Sequence, residues 1–323
     1  MPPELWFGPN LGSVDLLDLF RYPERWATAR GHLRAMQLYA QHILLAPDSP
    51  GAKQNGLNTW PSFRDVNAVG LLKEWGRDLS VEIGAVKRST SEGGCNAKDN
   101  EQNAAEVIRR VADARGSVKY IAIDEALVAG LNPVAGPEPG CGLTLAQTVE
   151  NTARFIRNLR TPHPEIDIGV IEAYPHNPPA KIIQFMEGLQ GANASPQFLH
   201  LDVDRNDIHN RGMDDQQVSR DLRSLQYQCS TPNGWKIPFG VIMYGQVVHG
   251  AQTEAAYGDS VLRWVNQLHH WLGTWPDRLI VQSWEVVTAT GLNTLPYNLT
   301  DSDPHSHTGL ISAVQQQVAT TRA

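Results

Sequence analysis

The segment Val118-Lys-Tyr-Ile-Ala-Ile-Asp124-Glu125 ends an apolar run on two adjacent carboxylates. Burying an unpaired carboxylate is expensive, so a pair at that place calls for a use. The same mixture recurs at Glu172-Ala-Tyr174-Pro-His176, at His200-Leu-Asp202-Val-Asp204 and at Trp284-Glu285. Paired carboxylates suit general acid/base work, because one carboxylate beside another raises its neighbour's pKa toward the range of a proton donor. Glu125 is the candidate donor, and Asp124 would modulate its pKa or contact the substrate. Glu172 and Glu285 are the first candidates for a second carboxylate, followed by Asp202. Asp204, Tyr174, His176, Tyr244, Trp284 and Gln41 are the candidates for holding substrate hydroxyls or stacking on a ring.

These residues need a scaffold that brings distant segments together. Eight short β-branched runs alternate with helical stretches. The strands are expected at Leu5–Asn10, Met36–His42, Leu79–Lys87, Val118–Glu125, Ile168–Tyr174, Phe198–Asp204, Ile237–Tyr244 and Leu279–Glu285. The helices are expected at Pro23–Leu33, Ser62–Arg77, Asn103–Arg115, Leu145–Leu159, Ala180–Leu189, Asp214–Tyr227, Glu254–Leu272 and Leu310–Val318. Eight βα units in one chain predict a closed (β/α)₈ barrel forming a single catalytic domain, with an open doubly wound sheet as the alternative. Working residues in such a barrel lie at the C-terminal ends of the strands. The long loops Ala46–Pro61, Arg88–Glu101, Leu127–Gly142 and Thr288–Thr308 all fall on that rim.

Period-two alternation assigns the faces. Gln37, Tyr39 and Gln41 are expected to point inward from the second strand, and Tyr120, Ala122 and Asp124 from the fourth. Glu125 then leans over the rim. In the fifth strand Ile171 and Ala173 are expected outward, with Glu172, Tyr174 and His176 lining the axis. His200, Asp202 and Asp204 are expected inward from the sixth.

The net charge of −7 argues against nucleic acid or an anionic membrane surface as a partner. No apolar run reaches the roughly 18–20 residues of a membrane span. Phosphate-binding glycine motifs and a nucleophile elbow are absent as well. Met1-Pro2-Pro3-Glu4 leads directly into Leu5-Trp6-Phe7, a start that suits a cytoplasmic protein and equally a secreted or periplasmic one whose leader was removed. Of the three cysteines, Cys95 and Cys141 fall in consecutive rim loops, so they are either bridged or free. Trp6, Trp60, Trp235, Trp271, Trp275 and Trp284 are expected in loops or at strand ends, where they could stack on a ligand, whereas Trp26, Trp75 and Trp264 read as core. His305 and His307 read as solvated loop residues, and Asn193 and Asn298 each start a glycosylation sequon.

The pattern resembles the (β/α)₈ glycoside hydrolases. The Asp124-Glu125 pair is similar to the acidic pair of the β-hexosaminidase type, and Trp284-Glu285 to the Trp and Glu that hold a sugar's hydroxyls there. The resemblance implies hydrolysis of an oligosaccharide or glycoside, with Glu125 as general acid and no cofactor. Where the largest retaining clan carries its nucleophile, at strand seven, this chain offers only Tyr244 and Gln246. A second resemblance, to xylose-isomerase-like sugar isomerases and epimerases, implies Mg²⁺ or Mn²⁺ held by Glu172, Asp202 and Glu285. A barrel that binds sugar without catalysis is the third reading.

Overall fold

In a computed structural model, the protein is described over residues 2–54, 56–86, 95, 97–135, 139–232, 234–245, 253–283 and 297–321. Eight parallel strands close into a barrel in chain order. They are β1 Glu4–Gly8, β2 Leu33–Tyr39, β3 Asp78–Ile83, β4 Val118–Asp124, β5 Asp167–Tyr174, β6 Leu199–Val203, β7 Phe239–Met243 and β8 Arg278–Gln282. All eight expected strands are present, most of them shorter than read from sequence. β2 stops at Tyr39 because Ala40–Leu44 turns at once into a short helix.

The long helices follow their apolar faces. Leu145–Arg160 starts on a capping box in which Thr144 and Gln147 satisfy each other's backbone N–H groups. The expected helix Ser62–Arg77 is broken instead into Trp60–Asp65 and Ala68–Glu74. Asn67 sits between them in the left-handed region at φ 54°, a conformation asparagine tolerates better than most residues. His307 is not in a solvated loop. It opens the helix His307–Thr320, fully buried against Phe7, and burial pushes its imidazole down to about 3. Among the described residues no helix is long and apolar enough to cross a membrane.

The lower end of the barrel is plugged by a cation among rings. The Arg278 guanidinium lies 4.7 Å from the Trp6 ring and 5.1 Å from those of Tyr120 and Phe198. Its Nε donates to Glu4 Oε2 at 3.1 Å. Such desolvated cation–ring contacts are each worth on the order of 1–2 kcal/mol. Two inward glycines make room for this packing. A Cβ on Gly169 would fall 2.3 Å from the Phe198 ring, and one on Gly240 would fall 2.5 Å from the ring of His200.

Cys95 and Cys141 form a disulfide that joins the loops after β3 and β4, with Cα atoms 5.6 Å apart. The third cysteine, Cys229, is buried. The bridge spans 46 residues of sequence, and closing a loop of that size stabilises a chain by roughly 4 kcal/mol in the chain-entropy account. Thermal unfolding with and without dithiothreitol is therefore expected to show a melting temperature several degrees lower in the reduced protein. An identical melting temperature would show that the bridge does not constrain the unfolded chain.

Candidate active site

The upper end of the barrel holds a chamber of 240 Å³ to which β2 through β8 contribute. β2, β3 and β4 supply Tyr39, Glu82 and Asp124, and β6 supplies Asp202 between Ile171 of β5 and Ile242 of β7. Gln282 of β8 completes the ring, while Leu11, Gln41 and Glu125 stand at its mouth. Barrel interiors are normally filled by branched aliphatic side chains, so this polar ring is an expenditure of stability.

Hydrogen bonds offset part of that cost. Gln37 Nε2 donates to Glu82 Oε2 at 2.8 Å, and Gln282 Nε2 donates to the Tyr39 hydroxyl at 2.8 Å. Tyr257, from the helix Glu254–Leu272, donates to the Gln282 carbonyl at 3.1 Å. Burial, reinforced by Glu82, holds the Tyr39 hydroxyl well above its ordinary pKa, so it stays protonated. Below this layer His200 is kept neutral by burial and by the Arg278 charge.

A second, larger cavity of 590 Å³ adjoins the chamber. Ala173, His176 and Tyr244 form part of its wall, and the short helix Arg205–Asn210 forms another part. Asp204 caps that helix, its Oδ1 accepting from the N–H groups of Asn206 at 2.8 Å and Asp207 at 2.9 Å. Asp207 in turn pairs with Arg211 at 2.8 Å. Glu125 and Asp202 are the two residues that line both cavities, so they stand where one opens into the other.

Glu125 owes its place to an unusual backbone. It follows the last residue of β4 in the left-handed region, at φ 42°, and its N–H donates to Ile171 O at 3.0 Å. A side chain other than glycine costs roughly 1–2 kcal/mol there. Such strain persists where the surrounding structure enforces it, and it gathers at functional sites.

Asp124, Glu125, Asp202, Asp204, His176, Tyr244 and Gln41 thus line one or both cavities. Two residues expected to face the axis do not. β4 pairs Asp124 with Ile171, and neighbours in parallel register share a face, so Ile171 and Ala173 point inward. Glu172 and Tyr174 consequently point toward the helices. The Tyr174 hydroxyl donates to Asp221 of the helix Asp215–Ser230 at 2.8 Å, and Glu172 is completely buried. β5 is buried on both faces, so its sequence carries no alternation to read.

Trp284, Glu285 and Gln246 lie outside the described residues. No described tryptophan lines either cavity, and Trp6 belongs to the lower plug. Among the described residues no three His, Cys, Asp or Glu side chains are grouped to hold a metal ion. Glu172 and Asp202, two of the ligands in the isomerase-like reading, occupy opposite sides of the barrel wall. Glu82 and Gln282 are site residues that the sequence reading passed over. Glu82 was open to the alternation argument, because Ser80 and Glu82 oppose Leu79, Val81 and Ile83 in β3.

No family model matches the chain, and no curated protein matches it. Solved structures do resemble it. A glucosidase from Croceicoccus marinus is 15% identical at a TM-score of 0.57, over 99% of this chain and 69% of that one. GH5_18 from Streptomyces cattleya, solved in complex with GlcNAc, is 11% identical at a TM-score of 0.56, over 99% and 82%. N2152 from Neocallimastix frontalis is 12% identical at 0.57, over 95% and 66%. At these identities the likeness establishes the barrel fold, and function must be argued from the site.

Two measurements probe this arrangement. Tyr39→Phe removes the hydroxyl that accepts from Gln282, and urea unfolding is expected to show a loss of about 1–2 kcal/mol. The second concerns Glu172, whose carboxyl is pushed well above the usual range by burial and by the Glu125 and Asp124 charges. A carboxyl with a raised folded pKa gives stability that is complete below its unfolded pKa of about 4.3 and declines as pH rises toward the folded value. Glu172→Gln lacks that decline, so its melting temperature should gain on wild type between pH 4 and pH 7. A gap that stays constant over this range would mean that Glu172 is ionised in the folded protein.

Proposed function

We propose that the protein is a carbohydrate-active enzyme that hydrolyses a glycosidic bond, with Glu125 as proton donor and Asp202 as the second carboxylate. One observation carries the reading: Glu125 and Asp202 are shared by the axial chamber and the larger cavity beside it. A bond cleaved between two parts of a substrate has to lie at such a junction. The chamber takes one sugar ring, and the larger cavity takes the group on the far side of the glycosidic oxygen. Pockets of roughly 300–1,000 Å³ are usual for small-molecule ligands, and the two cavities together fall within that range.

The chemistry follows from the two positions. Glu125 gives its proton to the glycosidic oxygen as the bond from that oxygen to the anomeric carbon breaks. Asp202 stabilises the positive charge that develops on the anomeric carbon. If the carboxyl groups are about 5–5.5 Å apart it attacks the anomeric carbon, and a water deprotonated by Glu125 then hydrolyses the resulting ester; if they are about 6.5–9.5 Å apart it deprotonates a water that attacks directly. Asp124 and Glu82, in the same ring, accept from the sugar's hydroxyls, and Tyr244, His176 and Asp204 contact the leaving portion. Tyr39, which stays protonated, is a further donor. The barrel likeness to a glucosidase and to a GlcNAc-bound GH5_18 structure is in keeping with this assignment. The disulfide at the rim favours an oxidising compartment, hence a secreted or periplasmic setting.

Glu125→Gln and Asp202→Asn are expected to keep the fold, as read by circular dichroism. Both should lose about 10²–10⁴-fold in kcat/KM on an oligosaccharide with a poor leaving group. With an activated aryl glycoside Glu125→Gln should lose less, because that leaving group needs little protonation, whereas Asp202→Asn should remain impaired. Turnover at the wild-type rate in both variants would rule the assignment out.

A further inference from the structure

Glu172 is a buried carboxyl that the proposed reaction does not use. It is completely inaccessible to solvent on the outer face of β5, against the short helix Ala126–Leu131 that begins immediately after Glu125. Its Oε1 accepts from the N–H of Leu127 at 3.3 Å, and its Oε2 is buried without a hydrogen-bond partner among the described residues. Leu127 lies in the first turn of that helix, where backbone N–H groups have no partner within the helix. The N–H of Glu125 is held by Ile171 O, and its carbonyl accepts from Ala129 at 2.9 Å. The strained residue is therefore gripped on both sides from β5, by the Ile171 carbonyl at its own amide and by the Glu172 carboxyl two residues on.

We propose that Glu172 is the positioning residue for Glu125: its carboxyl holds the Leu127 amide and so fixes the left-handed turn that carries Glu125 over the junction of the two cavities. The assignment rests on the proposed role of Glu125. Three further observations support it. A glutamate in the left-handed region relaxes toward the favoured backbone unless the next turn is pinned, and Leu127 N is the amide of that turn held by a side chain. Burying a carboxyl costs stability, and a leucine at position 172 would fill the same space without that cost. The charged groups that act on Glu172 are Glu125 and Asp124, and both disfavour its ionisation. A protonated carboxyl offers the Leu127 amide the same carbonyl-type acceptor as a carboxamide, so glutamine can take its place.

The test uses Glu172→Gln and Glu172→Leu in the full chain. The readouts are hydrogen exchange across Ala126–Leu131, and kcat and KM on the substrate that reveals Glu125 activity. Glu172→Gln should leave exchange and kcat within about threefold of wild type. Glu172→Leu should speed exchange at Leu127 by tenfold or more and lower kcat by a similar factor with KM unchanged, because the acid is displaced while the substrate's binding groups stay in place. Unchanged exchange and kcat in Glu172→Leu would overturn the assignment. So would a Glu172→Gln variant as inactive as Glu125→Gln, which would make Glu172 a reacting group. Should Glu172→Leu fail to fold, Glu172→Gln still decides. Should the wild type hydrolyse no glycoside, the exchange data still decide whether Glu172 holds the turn, and only the assigned reaction fails.

Discussion

Closing eight parallel strands on themselves decides, strand by strand, which alternate side chains face the axis. The hydrogen-bond register passes that decision from each strand to the next. Asp124 paired with Ile171, and Ala173 paired with Asp202, commit β4, β5 and β6 to one arrangement. Shifting any one strand by a single residue would turn its whole inner set outward. The lower half of the barrel uses this constraint for stability. Phe198 and His200 occupy the space left by Gly169 and Gly240, and the rings of Trp6, Tyr120 and Phe198 surround Arg278. The upper half gives up that kind of packing for a polar ring with room inside it.

That ring holds together because its members satisfy one another where no ligand is required. Gln37 holds Glu82, and Gln282 holds Tyr39, so their rotamers are set before any substrate arrives. The apolar neighbours of Asp202, Ile171 and Ile242, set it apart from Asp124 and Glu82.

The strand count, the barrel and the rim position of Asp124, Glu125, Asp202 and Asp204 could be read from the sequence because each rests on a strong local signal. Leu199, Leu201 and Val203 alternate with His200 and Asp202, so the polar residues of β6 have one possible face. β5 has no such contrast. Gly169, Ile171 and Ala173 face the axis and Ile168, Val170, Glu172 and Tyr174 face the helices, and nearly all of them are buried. Polarity alone places Glu172 and Tyr174 on the axis, and the register with β4 reverses that assignment. Asn298 shows the same limit in another form. Its sequon is a chance match, for Asn298 is buried and its Nδ2 donates to Ser13 and Asp15.

Among the described residues the rim loops are tied to one another after β3 and β4 and again beside β1 and β8. After β3 and β4 the tie is covalent, through Cys95 and Cys141. Between β8 and β1 it is electrostatic. The Asp15 carboxylate accepts from the backbone N–H groups of Asn298 and Leu299, and the Asp301 carboxylate accepts from Thr28 N at 2.8 Å. A carboxylate on backbone N–H groups makes charge-assisted bonds, stronger than neutral ones. The larger cavity lies over the ends of β4 to β7, beside the helix Arg205–Asn210 that Asp204 caps. Glu125 and Asp202 mark the passage from this cavity to the chamber, whose wall is made by hydrogen-bonded strands. Tyr244, His176 and Asp204 stand on the side of the carboxylate pair where this cavity lies.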